Sequence, residues 1–276
     1  MLKSTKQRPF MSRLAPLKWL TTLAATLMLL FLTLPIFALI LRAIQTQAWG
    51  EAPGSGIPDA IWLSFITTTA TVLLTLSFGT PLAYVLVRRR FPFKGLISTL
   101  VELPIVLPPA VAGLALLIAF GRRGLFGAGL SAIGISLPFT TFAVVMAQTF
   151  VAAPFFIRAA QVGFAGVPRE LEDAARVDGA SEAGLFLKIT LPLTSRALGA
   201  GIALSWARAL GEFGATILFA GSLQGRTQTM PLLIYNVIER DINAAIWTGL
   251  ILIGLALVAL IAAHFLGKRS ENDLPL

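Results

Sequence analysis

The ionisable residues that stand inside apolar sequence are the first candidates for chemistry. Arg208 and Glu212 are four positions apart in a run of small and apolar residues, which predicts that they lie one turn apart on the same face of a helix. Charged side chains within a membrane are costly unless they face a partner, a cavity or a subunit interface. The pair predicts either a neutralising contact that fixes helix packing or a charged group that lines or gates a path for an anion.

The second candidate is residues 167–192, the only long charged segment between two very apolar ones. Pro168 suits the first turn of a helix. Three acids follow where negative charge complements the unpaired N–H groups of a helix start: Glu170, Glu172 and Asp173. The pattern predicts a short helix over about Pro168–Val177.

A turn and a second helix are expected after this one. Asp178-Gly179 favours a turn because Gly adopts positive φ without steric cost. Ser181 can then cap a second helix with Glu182 in its first turn, and Pro192 should end or restart it. We therefore expect a helix-turn-helix hairpin that projects from a membrane into water.

Patterns typical of enzymes are absent from the sequence. There is no Walker A pattern, no His-Glu-x-x-His, no Gly-x-Ser-x-Gly and no Cys. The one His, His264, has no neighbouring ligand residues in the sequence and is expected to be structural or interfacial. We assign this chain no catalytic residue, no metal and no cofactor.

Composition and charge placement indicate an all-α polytopic membrane protein. Of the 276 residues 56% are hydrophobic and 13% are charged, and the apolar runs are continuous, which favours helices over a barrel. Six spans are predicted, at about 19–41, 61–87, 96–120, 139–157, 198–219 and 246–266. Most Lys and Arg residues fall in segments that would then be cytoplasmic, with the tails 1–18 and 267–276 inside. Five basic residues fall in outer segments, and two of them, Arg122 and Arg123, are adjacent in one Gly-rich connector.

Two of these spans contain unusual residues. In the third span Pro104, Pro108 and Pro109 remove backbone hydrogen bonds and must bend or unwind the helix, and Glu102 is expected to form an interfacial ion pair. The second span is rich in threonine, at Thr67 to Thr69, Thr71 and Thr75. These hydroxyls predict either a polar path or, more commonly, bonds back to the carbonyls of their own helix.

The charged segment resembles the Glu-Ala-Ala loop of the permease subunits of bacterial ABC importers. The pattern here is Asp173-Ala174-Ala175, then Gly179, then Ile189-Thr190-Leu191-Pro192, with matching spacing throughout. Asp173 stands where the family has Glu, and Glu172 lies beside it. The resemblance implies the ABC type I importer permease fold over residues 59–266, in a bacterial inner membrane.

The resemblance also implies a set of partners. In that family the loop forms a coupling helix that docks in a cleft of a separate ATPase subunit, which binds ATP and Mg. It implies a homodimer of this chain, two cytoplasmic ATPase subunits and a periplasmic or lipid-anchored oxyanion-binding protein. An ion-gradient secondary transporter, the competing class, would leave the loop pattern unexplained. An intramembrane enzyme would need a convergent set of catalytic residues.

Three further segments resemble molybdate permeases, namely Arg208–Thr216, Gly225–Leu232 and Gln148–Phe155. Sulfate and thiosulfate permeases share the Arg-Ala-x-Gly-Glu-Phe-Gly core, so that core alone implies an oxyanion. The other two segments favour molybdate, with sulfate, thiosulfate and tungstate as alternatives.

Overall fold

The computed structural model describes residues 15–51 and 56–272, and all the regular secondary structure in these ranges is helical. The parts of the predicted tails at residues 1–14 and 273–276 lie outside the described residues. The chain divides into two compact units at Glu51. The first unit contains α1 (Ala15–Thr46) and a 3-10 turn (Ala48–Glu51).

The second unit contains the remaining helices and two π-helical turns. In its first half are α2 (Gly56–Leu74), the first π-turn (Thr75–Gly79), α3 (Thr80–Arg88), α4 (Lys94–Val106), α5 (Pro109–Phe120), α6 (Gly127–Ala132) and α7 (Thr141–Ala165). In its second half are α8 (Arg169–Val177), α9 (Glu182–Leu185), the second π-turn (Phe186–Thr190), α10 (Leu191–Leu210), α11 (Gly214–Phe219), α12 (Met230–Ile238) and α13 (Ile242–Asn272).

Among the described residues three helices are long and apolar enough to cross a membrane. They are Lys18–Thr46, Gly56–Arg88 and Thr141–Ala165. The last of these corresponds to the predicted span 139–157 and continues for two further turns. The predicted span 246–266 falls within α13.

The third predicted span, 96–120, is two helices rather than one. α4 and α5 meet at an angle of 117°, and Leu107 between them is extended, as the residue before a proline tends to be. α4 lies beside the C-terminal half of α7, where Arg158 Nη1 contacts Glu102 Oε1 at 2.7 Å. The buried side chains of α5 instead pack against the N-terminal half of α7. The two helices of the pair therefore contact different halves of α7.

The fifth predicted span, 198–219, is also interrupted. α10 ends at Leu210, and α11 begins only at Gly214. At the break the carboxylate of Glu212 turns inward and accepts a hydrogen bond from the backbone N–H of Ala215 (2.8 Å), which satisfies a free donor at the start of α11. This corrects the expectation that one continuous helix carries both Arg208 and Glu212.

Both π-turns precede a proline in the first turn of the next helix. Pro81 follows the first π-turn and Pro192 the second. A proline ring clashes with the carbonyl four residues earlier in a regular α-helix, and the wider π-turn relieves that clash. The chain therefore stays helical from Glu182 to Leu210, with Pro192 at the point where the α-helix restarts.

Small residues allow the central helices to pack closely. A Cβ atom on Gly163 of α7 would lie 2.6 Å from the Cβ of Ala197 on α10, and one on Gly113 of α5 would lie 2.8 Å from the Cα of Ala215 on α11. Close backbone approach of this kind is how helices associate where lipid surrounds them. Only glycine fits at these positions, because any side chain would overlap atoms of the neighbouring helix.

The α5–α11 contact gives a stability prediction. We expect Gly113→Ala to lower the free energy of unfolding by about 1–3 kcal/mol, because the new methyl group meets backbone atoms that cannot rotate away. The measurement is thermal unfolding of the purified protein in detergent. Gly249→Ala on α13, where no atom lies within 4 Å, is the matched control. Equal melting of the two variants would contradict the packing described here.

Candidate functional site

The charged segment forms the predicted hairpin. α8 begins at Arg169, one residue after the expected start, and ends at Val177. Ser181 caps the second arm, where its Oγ accepts a hydrogen bond from the N–H of Gly184 (3.2 Å). The sequence predicted both arms because proline, the acids and the capping serine act on their immediate neighbours.

Gly179 closes the turn between the arms. Its φ is +86°, and no atom lies within 4 Å of the place a Cβ would occupy. Glycine is therefore needed for its backbone conformation and not for space. The N–H groups of Gly179 and Ala180 bond to the carbonyls of Arg176 and Ala175, which is the Schellman arrangement that ends a helix with a left-handed residue.

The base of the hairpin is held by a buried ion pair. Arg88 Nη2, at the end of α3, lies 2.8 Å from Glu172 Oε1 on α8, and the two side chains are 10% and 3% exposed. Arg88 also donates to the carbonyl of Val167 (3.2 Å), and Thr190 Oγ1 donates to the same carboxylate oxygen (3.1 Å). The network joins α3, α8 and the second π-turn.

Three aromatic rings lie next to this network. Tyr84 of α3 packs edge-on against Phe164 of α7 and Phe186 of the second π-turn, with ring centroids 5.5 and 5.3 Å apart. Phe164 is fully buried, and its ring is 6.2 Å from that of Phe186. Edge-to-face aromatic contacts add stability beyond the apolar area they bury. The junction is thus fixed by a polar contact and an apolar one.

Exposed charges connect the two arms further out. Arg176 contacts Asp173 at 2.8 Å and Glu182 at 2.9 Å. The hydrogen bond from Arg176 lowers the pKa of Glu182 below its ordinary value, so the pair stays charged to a lower pH than an isolated glutamate would. Because these side chains are in water, the contacts orient the arms and add little stability.

The structure separates the sequence-predicted loop residues into an inner and an outer set. Glu172 and Ala175 are buried, whereas Asp173, Ala174 and Gly179 are exposed. Ile189 and Leu191 are half-buried and Pro192 is exposed. Glu172 therefore binds within the chain, and of the two neighbouring carboxylates only Asp173 faces outward.

The outer face of α8 carries apolar side chains on an otherwise charged helix. Leu171 is 47% exposed and Val177 is 88% exposed, with Ala174 between them. The spacing of three residues places them along one side of the helix. We name Leu171, Ala174 and Val177 the outer stripe.

Arg208 and Glu212 meet as predicted, although Glu212 is outside α10. Arg208 Nη1 lies 2.7 Å from Glu212 Oε2, a charge contact that lacks the alignment of a hydrogen bond. The Glu212 side chain is 1% exposed and the Arg208 side chain 27%. The carboxylate therefore fixes the start of α11, and the guanidinium remains the part of the pair that can meet water or an anion.

The threonines of α2 behave in two ways. Thr67 and Thr68 bond back to the carbonyls of Leu63 and Ser64. Thr71 instead donates to the side-chain oxygen of Gln148 on α7 (3.2 Å) and joins the two helices. The expectation of back-bonding is confirmed for the first two.

Sequence reasoning missed the parts of the site that act across the chain. Arg88 was one of several basic residues in a connector, and Thr190 occupied the variable position of the Ile-x-Leu-Pro pattern. No local signal pairs either of them with Glu172, which lies 84 residues from Arg88. Within the described ranges no group of three or more His, Asp or Glu side chains could hold a metal ion.

Removal of one member of the buried pair should be costly. We expect Arg88→Gln to lower the free energy of unfolding by roughly 3–5 kcal/mol because Glu172 is left buried and uncompensated, and Arg88→Gln with Glu172→Gln to recover most of the loss. Arg158→Gln is the matched control. It breaks the exposed pair with Glu102 and should cost at most about 1 kcal/mol.

Thermal unfolding in detergent measures all three changes. An Arg88→Gln protein as stable as the Arg158→Gln protein would contradict the burial and pairing of Glu172.

Comparisons with known proteins agree on one family. Residues 75–272 match the family described as binding-protein-dependent transport system inner membrane component. The Mycobacterium tuberculosis molybdenum transport system permease protein ModB is 40% identical over 228 residues, 83% of this chain and 86% of that protein. A probable sulfate transport system permease protein of Nephroselmis olivacea is 33% identical over 93% of this chain and 92% of its own length.

A solved structure has the same fold. A chain of a bacterial ABC transporter involved in the import of the acidic polysaccharide alginate superimposes with a TM-score of 0.72 at 18% identity, over 94% of this chain and 96% of that one. The family match covers the hairpin, the network at its base and the Arg208–Glu212 pair. The chain belongs to the family of binding-protein-dependent transport system inner membrane components.

Proposed function

We propose that this chain is the permease subunit of an ATP-driven ABC importer that moves an oxyanion, molybdate, across the inner membrane of a bacterium. The observation that carries the proposal is the hairpin. Its apolar outer stripe faces away from the chain, while its base is tied to the membrane helices by a buried ion pair. An exposed apolar surface on a rigidly held helix suits docking to another subunit.

We infer six membrane crossings with both termini in the cytoplasm. Support comes from the broken helix pair: α4 lies beside one half of α7 and α5 beside the other, as expected if the two form one interrupted crossing. The sixth crossing would be the apolar part of α13, Ile242–Val258. The hairpin then lies on the basic, cytoplasmic side.

Coupling follows from this arrangement. The complex would contain a homodimer of this chain and two cytoplasmic ATPase subunits, which bind ATP and Mg. Each ATPase subunit would bind one hairpin through the outer stripe and the surrounding charges of Asp173 and Arg176. Closure of the ATPase subunits would move each hairpin as a rigid body. The cavity between the two permease chains would then open alternately to the inside and the outside of the membrane. An oxyanion-binding protein would deliver the substrate at the outer face.

The assignment of molybdate as substrate rests on sequence similarity to relatives over most of the chain. The more similar relative is named for molybdenum transport, and the sulfate relative is less identical. The geometry of Arg208 supports an oxyanion in general, because its partly exposed guanidinium can meet a passing anion while Glu212 remains buried. Helix packing remains the other interpretation of this pair.

The outer stripe provides the test of coupling. We expect Ala174→Arg to reduce ATPase binding to the permease and ATP-driven uptake by roughly tenfold or more, because a bulky charge would fall within an apolar contact. Ala174 is chosen over Ala175, which is buried within the chain. Co-purification of the ATPase, uptake and membrane abundance are measured together.

Ala128→Arg, an exposed position on α6, is the matched control and should leave ATPase co-purification and membrane abundance unchanged. Full ATPase binding by the Ala174→Arg protein would contradict the docking of this face.

Competition in reconstituted vesicles tests the substrate. With the ATPase and the oxyanion-binding protein present, labelled molybdate uptake should require ATP, and unlabelled sulfate should compete at least about tenfold more weakly than unlabelled molybdate. Equal competition by sulfate would instead favour a sulfate or thiosulfate permease. Uptake down a gradient by the permease alone would favour a secondary transporter.

A further inference from the structure

Two helical segments that contain π-turns meet α8, the first arm of the hairpin. The first π-turn, Thr75–Gly79, leads into α3, whose last residue is Arg88. The second π-turn, Phe186–Thr190, leads into α10 and ends at Thr190. π-turns inside α-helices occur frequently at functional sites and are points where helices bend.

A single carboxylate connects both of these segments to α8. Glu172 Oε1 accepts a hydrogen bond from Arg88 of α3 (2.8 Å) and another from the hydroxyl of Thr190 in the second π-turn (3.1 Å). Arg88 additionally donates to the carbonyl of Val167, two residues before α8 begins. A displacement of α8 must therefore pull on α3 and on the second π-turn together or break this network.

The hydroxyl of Thr190 forms its hydrogen bond with Glu172 and not within its own helix. Thr190 is fully buried, and its Oγ1 donates across the chain to Glu172. Thr194, one turn later and equally inaccessible to solvent, donates to the carbonyl of Thr190 within its own helix. Two buried threonines on one helical segment thus make one contact between elements and one local contact.

We propose that Arg88 and Thr190 are positioning residues for coupled transport. Acting through Glu172, they hold α8 to both π-turn segments, so that movement of α8 bends α3 and the second arm of the hairpin together. The inference rests on the proposed function, because it assumes that an ATPase moves the hairpin. It adds two residues that do not touch the ATPase or the substrate.

A purely structural role makes a different prediction. If the network only stabilised the fold, its loss would lower the amount of assembled complex but leave the number of substrate ions moved per ATP unchanged. If the network transmits movement, complexes that assemble normally will hydrolyse ATP and move less substrate for each ATP consumed. The ratio of uptake to hydrolysis therefore separates the two roles.

The experiment uses the full complex in vesicles, with labelled molybdate uptake and phosphate release measured in parallel. Thr190→Val removes the hydroxyl and keeps the approximate shape, and we expect the uptake-to-ATP ratio to fall roughly threefold or more. Thr190→Ser restores a hydroxyl and should restore the ratio. Thr194→Val, the matched control, removes a local bond and should leave the ratio unchanged.

Arg88→Lys is the second variant, since it keeps the charge but cannot reproduce both contacts of the guanidinium. We expect it to lower the ratio as well. An unchanged ratio in assembled Thr190→Val and Arg88→Lys complexes overturns the proposal. Failure of both variants to assemble also overturns it, because the network would then be structural.

These outcomes are distinct from failure of the proposed function. If the unmodified chain binds no ATPase, or shows no ATP-dependent uptake, the importer assignment itself fails. If the unmodified complex is coupled and the variants are coupled equally well, only the positioning role of Arg88 and Thr190 fails.

Discussion

The buried contact between Arg88 and Glu172 determines how the hairpin is attached to the helical bundle. Two charges removed from water lose their hydration, and further hydrogen bonds offset part of that cost. Here the carbonyl of Val167 accepts from Arg88 and the hydroxyl of Thr190 donates to Glu172, while Arg88 Nε is buried without a hydrogen-bond partner. The contact is shared by α3, α8 and the second π-turn. The outer stripe keeps its orientation because this junction leaves α8 little freedom to rotate.

Two helix breaks determine how helices pack within the bundle. The break between α4 and α5 and the one between α10 and α11 bring α5 against α11, where Gly113 meets Ala215. Interrupted helices at membrane depth are tolerated only where protein or water satisfies the freed backbone groups. The carboxylate of Glu212 provides such a partner for Ala215. The break between α10 and α11, the buried carboxylate of Glu212 and the close contact of Gly113 with Ala215 therefore lie together at the start of α11.

The sequence predicted what local chemistry controls. The arms of the hairpin, the turn at Gly179 and the cap at Ser181 each depend on residues within a few positions. It did not predict the interruption after Leu210, because Glu212 is four residues from Arg208 and matches a continuous helix equally well. Nor did it pair Arg88 with Glu172, a contact that exists only once α3 and α8 are brought together. Sequence reasoning therefore missed the pairing of Arg88 with Glu172 across distant segments, but predicted the cap and the turn that neighbouring residues form.

The central claim is that the outer stripe faces the cytoplasm and is covered by an ATPase. Since the chain contains no cysteine, Val177→Cys supplies one unique thiol at a position that is 88% exposed. A membrane-impermeant maleimide should label this thiol in inside-out vesicles and not from the outer face, and bound ATPase should protect it. Labelling from the outer face, or labelling that the ATPase does not reduce, would contradict the account.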